Sequence, residues 1–382
     1  MATVFDYLDW RGDLSFTQSD VNEVDNLIFS LLCYLPFDEI LTPHTDKRPL
    51  SLLAVARQYL RAYRDRPTKL GLILPPQTVT LLAKAAKCPR FAKVRMRSYV
   101  NDLSPEEERQ FSAVTYLLDN GKSFVAFRGT DDTLIGWKES FSMSFLHPVP
   151  AQTAAARYLN QVAKQTDGSL ILGGHSKGGN LAVYAAVQAE EGIEKRIERV
   201  YNNDGPGFTA DFLRSENYQA LRERVCTIIP QSSVVGMLLE HEDRYDVIKS
   251  TANGLLQHNG FSWEVLGASF LHLDTVTEES RSIDRSVKKW LSQLDSERRQ
   301  SIIDSIFDKL AAENAQTLTD LGNDKLKLLR VWNQLDPEAR NMFKKFISLF
   351  VKESARLRKK SEEMAKRNEL PTGKKATPSS PK

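Results

Sequence analysis

Through residues 1–92, apolar positions recur mostly at three- and four-residue steps. The run from Ser19 to Ile28 passes from capping residues into this spacing and continues through Leu31, Leu32 and Leu35, which predicts a helix. Two further helices are expected over Leu50–Tyr63 and Thr78–Ala86, and none of the three carries a chemical signal of its own. From Val94 the period changes to short β-rich runs: Val94–Val100, Ser112–Leu118, Ser123–Phe127, Leu170–Leu172, Val200–Asn203, Val225–Ile229 and Tyr245–Ile248. Asn120-Gly121, between the second and third runs, predicts a hairpin. Ala151–Gln165 and Asn180–Ala189 have helical composition. Hairpins first and alternating strand–helix units later describe an α/β sheet with an antiparallel start.

After about residue 278 the strands stop. Residues 279–317 and 324–367 are helical by composition, with Trp290, Leu294, Ile302, Ile306 and Leu310 periodic in the first stretch. Leu328, Val331, Phe343, Phe346 and Leu349 are periodic in the second, and Asp336-Pro337-Glu338 starts a helix with Asp336 as its cap. The Pro/Ser/Lys-rich residues 370–382 are expected to be disordered. The expected organisation is a main domain over 1–278 (helical through 1–92), a helical C-terminal region over 279–369 and a basic tail over 370–382.

With 41% hydrophobic and 26% charged residues, the 382-residue chain has ample material for a core and is neither low-complexity nor wholly disordered. The net charge of +3 gives no global basic field, so nucleic acid is not an expected partner. Residues 351–382 alone carry a net +6, and everything before them is slightly acidic. That basic region suits a solvated helix face or a weak peripheral contact with anionic lipid. Cys33, Cys88 and Cys226 form neither a disulfide framework nor a zinc pattern, and no metal or organic cofactor is expected. The start, MATVFDYLDWRGD, lacks the basic-then-apolar form of a secretory signal, and no apolar run is long enough to span a bilayer. A cytoplasmic protein is expected.

The strongest chemical signal is Leu170-Ile171-Leu172-Gly173-Gly174-His175-Ser176-Lys177-Gly178-Gly179-Asn180-Leu181-Ala182. Gly174-x-Ser176-x-Gly178 has the nucleophile-elbow pattern, with an apolar strand before it and an Ala-rich helix after it. A serine on such a turn needs strained backbone angles, and small residues two before and two after it avoid clashes with the neighbouring strand and helix. The second signal is Ser123-Phe124-Val125-Ala126-Phe127-Arg128-Gly129-Thr130, a strand running into a loop upstream of the serine. Acyl transfer needs two backbone N–H groups aimed at the developing oxyanion. Lys177, directly after the serine, supplies one and Thr130 the other, its hydroxyl fixing the loop.

GHSKGGNLA downstream of FRGT resembles the class 3 lipases of the α/β-hydrolase superfamily. With the opening FDYLDWRGDLSF and with NNDGPGF, the chain resembles the bacterial Mbeg1-like family over roughly residues 1–275. The resemblance implies an α/β-hydrolase (lipase-like) fold with a mixed, mainly parallel sheet flanked by helices. It also places a histidine outside the triad at His175.

In that fold the base follows both nucleophile and acid, which leaves His241, His258 and His272. His258 lies in a Gly-bounded loop, and the resembled lipases carry a similar histidine followed by an aromatic residue. His241 sits in a charged segment and suits solvent; His272 alternates with leucines and suits a structural role. The acid departs from the class 3 pattern. The loop that would hold it, Ile229-Pro230-Gln231-Ser232-Ser233-Val234-Val235-Gly236, has no carboxylate. Asp204, ending the strand after the nucleophile helix, is the leading candidate, and pancreatic-type lipases place their acid at this earlier strand. Asp246 is the alternative, as is a turn-capping Asp204 with Ser233 or a water orienting His258.

Lys177 replaces the apolar residue typical of lipases after the serine, and suits either solvent or an anionic or polar acyl substrate. Trp137 and Phe141–Leu146 suit a lid, an acyl-binding wall or a helix packed on the sheet. The expected function is intracellular acyl-ester hydrolysis of a small-molecule or lipid ester through Ser176, His258 and Asp204 and an acyl-enzyme. The alternative is a catalytically inactive hydrolase-fold scaffold with the helical C-terminal region as its interaction module.

Overall fold

A computed structural model describes residues 1–42, 46–64, 77–237, 239, 244–278, 280–282, 285 and 293–344. The chain begins with α1 (Val4–Arg11), α2 (Glu23–Leu32), β1 (Leu50–Ser51), α3 (Leu52–Ala62), α4 (Gln77–Ala85) and α5 (Pro89–Ala92). The predicted helix at Ser19 starts four residues later, because Asn22 accepts from the N–H groups of Val24 and Asp25 while Asp25 returns a bond to the Asn22 N–H. That reciprocal cap fixes the start more firmly than the upstream polar residues can.

The antiparallel start comes next, with β2 (Arg95–Ser104), β3 (Arg109–Leu117) and β4 (Ser123–Phe127) joined in order. At the predicted hairpin Gly121 takes φ +83°, which closes the turn between β3 and β4. Then follow α6 (Leu134–Ser142), α7 (Pro150–Ala163), β5 (Leu170–His175), α8 (Lys177–Val187), β6 (Ile197–Asn203), α9 (Ala210–Arg214), α10 (Glu216–Leu221), β7 (Val225–Pro230) and β8 (Asp246–Ile248). β4 to β8 run parallel as neighbours. A short strand pair, β9 (Val265–Leu266) and β10 (Ser269–Phe270), precedes β11 (His272–Leu273), which closes the far edge antiparallel to β8. The sheet order is β1-β2-β3-β4-β5-β6-β7-β8-β11.

Alternation along the strands divides the core into two layers. Tyr116, Phe124, Ala126 and Ile171 face one way, against Val4 and Leu8 of α1, Leu27 and Ile28 of α2, Val55 of α3 and Leu81 of α4. Phe111, Val125, Phe127 and Leu172 face the other way, against Ala155 and Leu159 of α7 and Leu181 and Val183 of α8. The chain is therefore a mixed, mainly parallel α/β sheet with helices on both faces. The N-terminal helices form one of the two layers.

α11 (Ser296–Ala312), α12 (Leu318–Asn323) and α13 (Lys325–Gln334) follow. A helix continues over 337–344, capped by Asp336, which accepts from the Glu338 and Ala339 N–H groups. The helix expected across 279–317 breaks after Ala312, where Asn314 takes φ +54°. Ile302, Ile306, Phe307, Leu310, Val331 and Leu335 form one cluster with Leu134, and Trp137, Phe141 and Phe145 pack against it. The apolar stretch after the FRGT loop thus packs both ways, Phe141 and Phe145 on the C-terminal helices and Met143 on the sheet beside Phe111 and Phe127. Backbone bonds tie the two parts, Leu134 N–H to Gln316 C=O at 2.9 Å and Leu318 N–H to Asp132 C=O at 2.9 Å. Trp290, Phe346, Leu349 and the tail 370–382 lie outside the described residues. No described helix is long and apolar enough to cross a membrane.

Candidate active site

Ser176 stands between β5 and α8 with φ 59° and ψ −135°. An L-residue holds such angles only at a cost of about 1–3 kcal/mol, so the surroundings must impose them. A β-carbon on Gly174 would overlap the Gly178 backbone, and one on Gly178 would overlap the Phe127 carbonyl oxygen. The strand–turn–helix crossing is tight enough to require glycine at both positions.

Asn203, at the end of β6, clamps the turn. Its carbonyl accepts the Ser176 N–H at 2.9 Å and its Nδ2 donates to the Gly174 carbonyl at 2.9 Å. Asn26 of α2 donates in turn to Asn203 Oδ1 at 2.8 Å. One turn on, Asn180 of α8 donates to the carbonyls of Pro206 and Gly207 and accepts from Gln152 of α7. NNDGPGF is therefore the segment that fastens the elbow to its neighbours.

The next residue, Asp204, is fully buried and also has positive φ, 52°. Its Oδ2 lies 2.6 Å from His258 Nδ1. Its Oδ1 accepts from Ser233 Oγ at 2.5 Å and from the Gly236 N–H at 3.1 Å. The 229–236 loop, which lacks a carboxylate, thus gives Asp204 two donors. Asp246 lies exposed at the start of β8, and the aspartate on His258 is Asp204. Ser233 binds the acid rather than the imidazole. With Nδ1–H given to Asp204, the basic nitrogen of the neutral His258 ring is Nε2.

His258 lies in a short turn over Gly254–His258, held from behind. His175 Nε2 is 2.6 Å from the His258 carbonyl, and the two rings lie tilted by 35° with centroids 4.5 Å apart. A carbonyl only accepts, so His175 Nε2 carries the proton and its Nδ1 accepts from Tyr34 Oη at 3.2 Å. Trp263 Nε1 donates to the Gln257 carbonyl at 2.8 Å, and Ser232 N–H donates to Gln257 Oε1 at 2.9 Å. Of the other candidate bases, His272 pairs with Glu23 at 3.0 Å, a link from the sheet edge to α2. His241 lies outside the described residues.

Burial, followed by repulsion from His258, pushes the His175 pKa down from 6.5 to about 3. Between those values the unfolded chain binds a proton that the native state refuses, so stability rises with pH across the window and falls on acidification. This one group contributes a slope approaching about 1.4 kcal/mol per pH unit. The urea midpoint of the wild type should fall between about pH 6 and about pH 4, and His175→Gln should flatten that fall while keeping a donor for the His258 carbonyl. An unchanged slope in the variant would contradict a neutral buried His175.

The FRGT loop abuts the elbow: a β-carbon on Gly129 would lie 3.0 Å from Ser176 Cβ. Thr130 is buried, and its hydroxyl meets Ser140 Oγ at 2.6 Å, which itself donates to the Gly136 carbonyl at 2.7 Å. The loop is thereby fixed to α6. Lys177 opens α8, so its N–H has no acceptor within the helix. The Lys177 side chain is turned away from solvent. Its Nζ is buried against Glu139 Oε2 at 2.8 Å, which corrects the expectation of a solvent-facing lysine. Sequence reasoning gave no role to Asn26 and Tyr34, which carry no local pattern, nor to Asn180 and Asn203, which lie within the GHSKGGNLA and NNDGPGF motifs.

A strained serine between a parallel strand and a helix, beside a His–Asp pair, defines an α/β protein with a candidate nucleophile site. The chain belongs to the Mbeg1-like family, whose model matches residues 85–308, more than half of its length. No curated protein matches the chain. Among solved structures, M37 lipase is 14% identical with a TM-score of 0.35, over 57% of this chain and 70% of that one. The lipase of Rhizomucor miehei, in its propeptide complex, is 13% identical with a TM-score of 0.32, over 57% of this chain and 78% of that one.

Proposed function

We propose that this protein is a serine hydrolase of the lipase/esterase type on an α/β-hydrolase fold, acting in the cytoplasm on a small-molecule or lipid ester. The observation that carries the reading is the 2.6 Å contact of His258 Nδ1 with the buried Asp204, on the strand beside the strained Ser176 turn. His258 Nε2 takes the Ser176 proton as Oγ attacks the ester carbonyl. Asp204 holds the tautomer and stabilises the imidazolium. The oxyanion is met by the N–H groups of Thr130 and Lys177 and by the positive end of α8. His258 returns the proton to the departing alcohol, and water, deprotonated by the same nitrogen, releases the acyl group from Ser176.

Both residue-level features that distinguish this chain support the reading. The 229–236 loop compensates for its missing carboxylate by donating to Asp204, and Asp204 keeps one oxygen for the histidine. Cys33, Cys88 and Cys226 are free thiols, in keeping with a reducing compartment. The test is hydrolysis of p-nitrophenyl esters of short and long chain. The wild type should turn over at least one length, and Ser176→Ala should lose that turnover. A folded wild type inert on all of them leaves the inactive scaffold as the reading, and a Ser176→Ala variant as active as wild type removes Ser176 as the nucleophile.

A further inference from the structure

The residue after the candidate nucleophile carries a charge into the core. Lys177 is 1% exposed, and its ammonium donates to Glu139 Oε2 at 2.8 Å, the Gln110 carbonyl at 2.8 Å and Gln110 Oε1 at 2.7 Å. Each of its three protons has an acceptor. Glu139, on α6, accepts in addition the Gln110 N–H at 3.1 Å and, through Oε1, the Ala151 N–H of α7 at 2.7 Å. β3, α6, α7 and α8 therefore meet in one polar knot inside the sheet–helix interface. A pair this deep costs several kcal/mol per ion to desolvate, and a well-packed apolar set of the same volume is often as stable. Stability alone does not account for it.

Gln110 connects the knot to the chemistry. With its Oε1 held by Lys177, its Nε2 faces the Gly129 carbonyl at 3.5 Å. That carbonyl and the Thr130 N–H are opposite ends of one planar peptide unit, so a pull on one end aims the other. The second oxyanion amide belongs to Lys177 itself, whose side chain is anchored in the same knot. α6 presses close here: a β-carbon on Gly136 would lie 2.9 Å from Gln110 Oε1.

We propose that Gln110, Lys177 and Glu139 are positioning residues that set the two oxyanion amides, those of Thr130 and Lys177, relative to each other. This rests on the hydrolase reading above. None of the three side chains touches the ester. They hold the amides at the geometry of the tetrahedral intermediate, where a small misplacement costs rate rather than substrate binding.

The experiment compares wild type, Gln110→Met, Gln110→Asn and the neutral double variant Lys177→Met/Glu139→Gln on a p-nitrophenyl ester that the wild type hydrolyses. Affinity for an alkylboronic acid, which forms a tetrahedral adduct on the serine, is measured alongside. Gln110→Asn keeps an amide but retracts it from Gly129 by one methylene, so it remains informative if the larger changes do not fold. The expected result is a kcat lower by about one to two orders of magnitude, KM within about threefold and boronate affinity lost in proportion to kcat. The pH profile should be that of the wild type, since His258 and Asp204 are untouched. Folded variants with wild-type kcat and boronate affinity overturn the proposal, as does a loss confined to KM. A wild type that hydrolyses nothing overturns the hydrolase reading instead.

Discussion

Asp204→Asn should lower kcat by about 10⁴-fold while the protein stays folded. The size follows from how the carboxylate is held. Its Oδ1 accepts from Ser233 Oγ and from the Gly236 N–H, and its Oδ2 faces His258 Nδ1. An asparagine must keep its oxygen toward the Gly236 N–H, because an NH₂ there would meet another donor. Its NH₂ then points at His258 Nδ1, and the imidazole can satisfy it only by moving its own proton to Nε2. The nitrogen that has to take the serine proton already carries one. The measurement is kcat on the hydrolysed p-nitrophenyl ester, with Tm as the control for folding. A rate within about threefold of wild type would remove Asp204 from the mechanism.

Arg90→Met should destabilise the fold by about 3–5 kcal/mol, equivalent to roughly 10 °C in Tm. Arg90 and Asp25 are both fully buried at their side chains and joined through two guanidinium nitrogens, at 2.8 Å and 2.5 Å. The same guanidinium donates to the carbonyls of Leu14, Ser15, Ser19 and Asp20, so it pins the whole loop between α1 and α2. Its central carbon, Cζ, lies 4.0 Å from the centroid of the Phe16 ring. Truncation leaves the Asp25 carboxylate buried with Tyr7 and Asn22 as its remaining partners among the described residues. Arg90→Lys should recover little, because an ammonium cannot span the carboxylate and four carbonyls as a planar fork does. Thermal unfolding of the two variants decides it, and a Tm within about 2 °C of wild type for Arg90→Met would contradict the anchoring role.

The parts of the fold that were legible in the sequence are those encoded locally. Ser123–Phe127 reads as a buried strand because both faces of it are covered, and its bounds agree with β4. Gly174-x-Ser176-x-Gly178 is legible because the steric requirement falls on residues two positions apart. His258 follows from its Gly-bounded loop and from the chain order that the lipase resemblance implies, and its Nδ1 lies 2.6 Å from Asp204.

What was not legible depends on partners far apart in the chain. A lysine after the serine looks exposed until Glu139 and Gln110 are brought beside it from α6 and β3. Asn26 is one more polar residue in a helix until it meets Asn203, 177 positions away. Ser233 has no signal by itself, since its meaning is the acid it binds. The N-terminal helices carry no chemical signal, yet their apolar stripes form the layer that covers one side of the sheet. A period shows that a helix has a buried face, not which surface buries it.

An activated nucleophile at the elbow serine should react covalently with an organophosphorus probe. The most direct measurement is intact mass after treatment with a fluorophosphonate, followed by peptide mapping, on wild type and Ser176→Ala. One covalent adduct per chain is expected, on the peptide containing Ser176, and none on the variant. A folded wild type that takes up no label, or a Ser176→Ala variant labelled to the same extent, would contradict an activated Ser176.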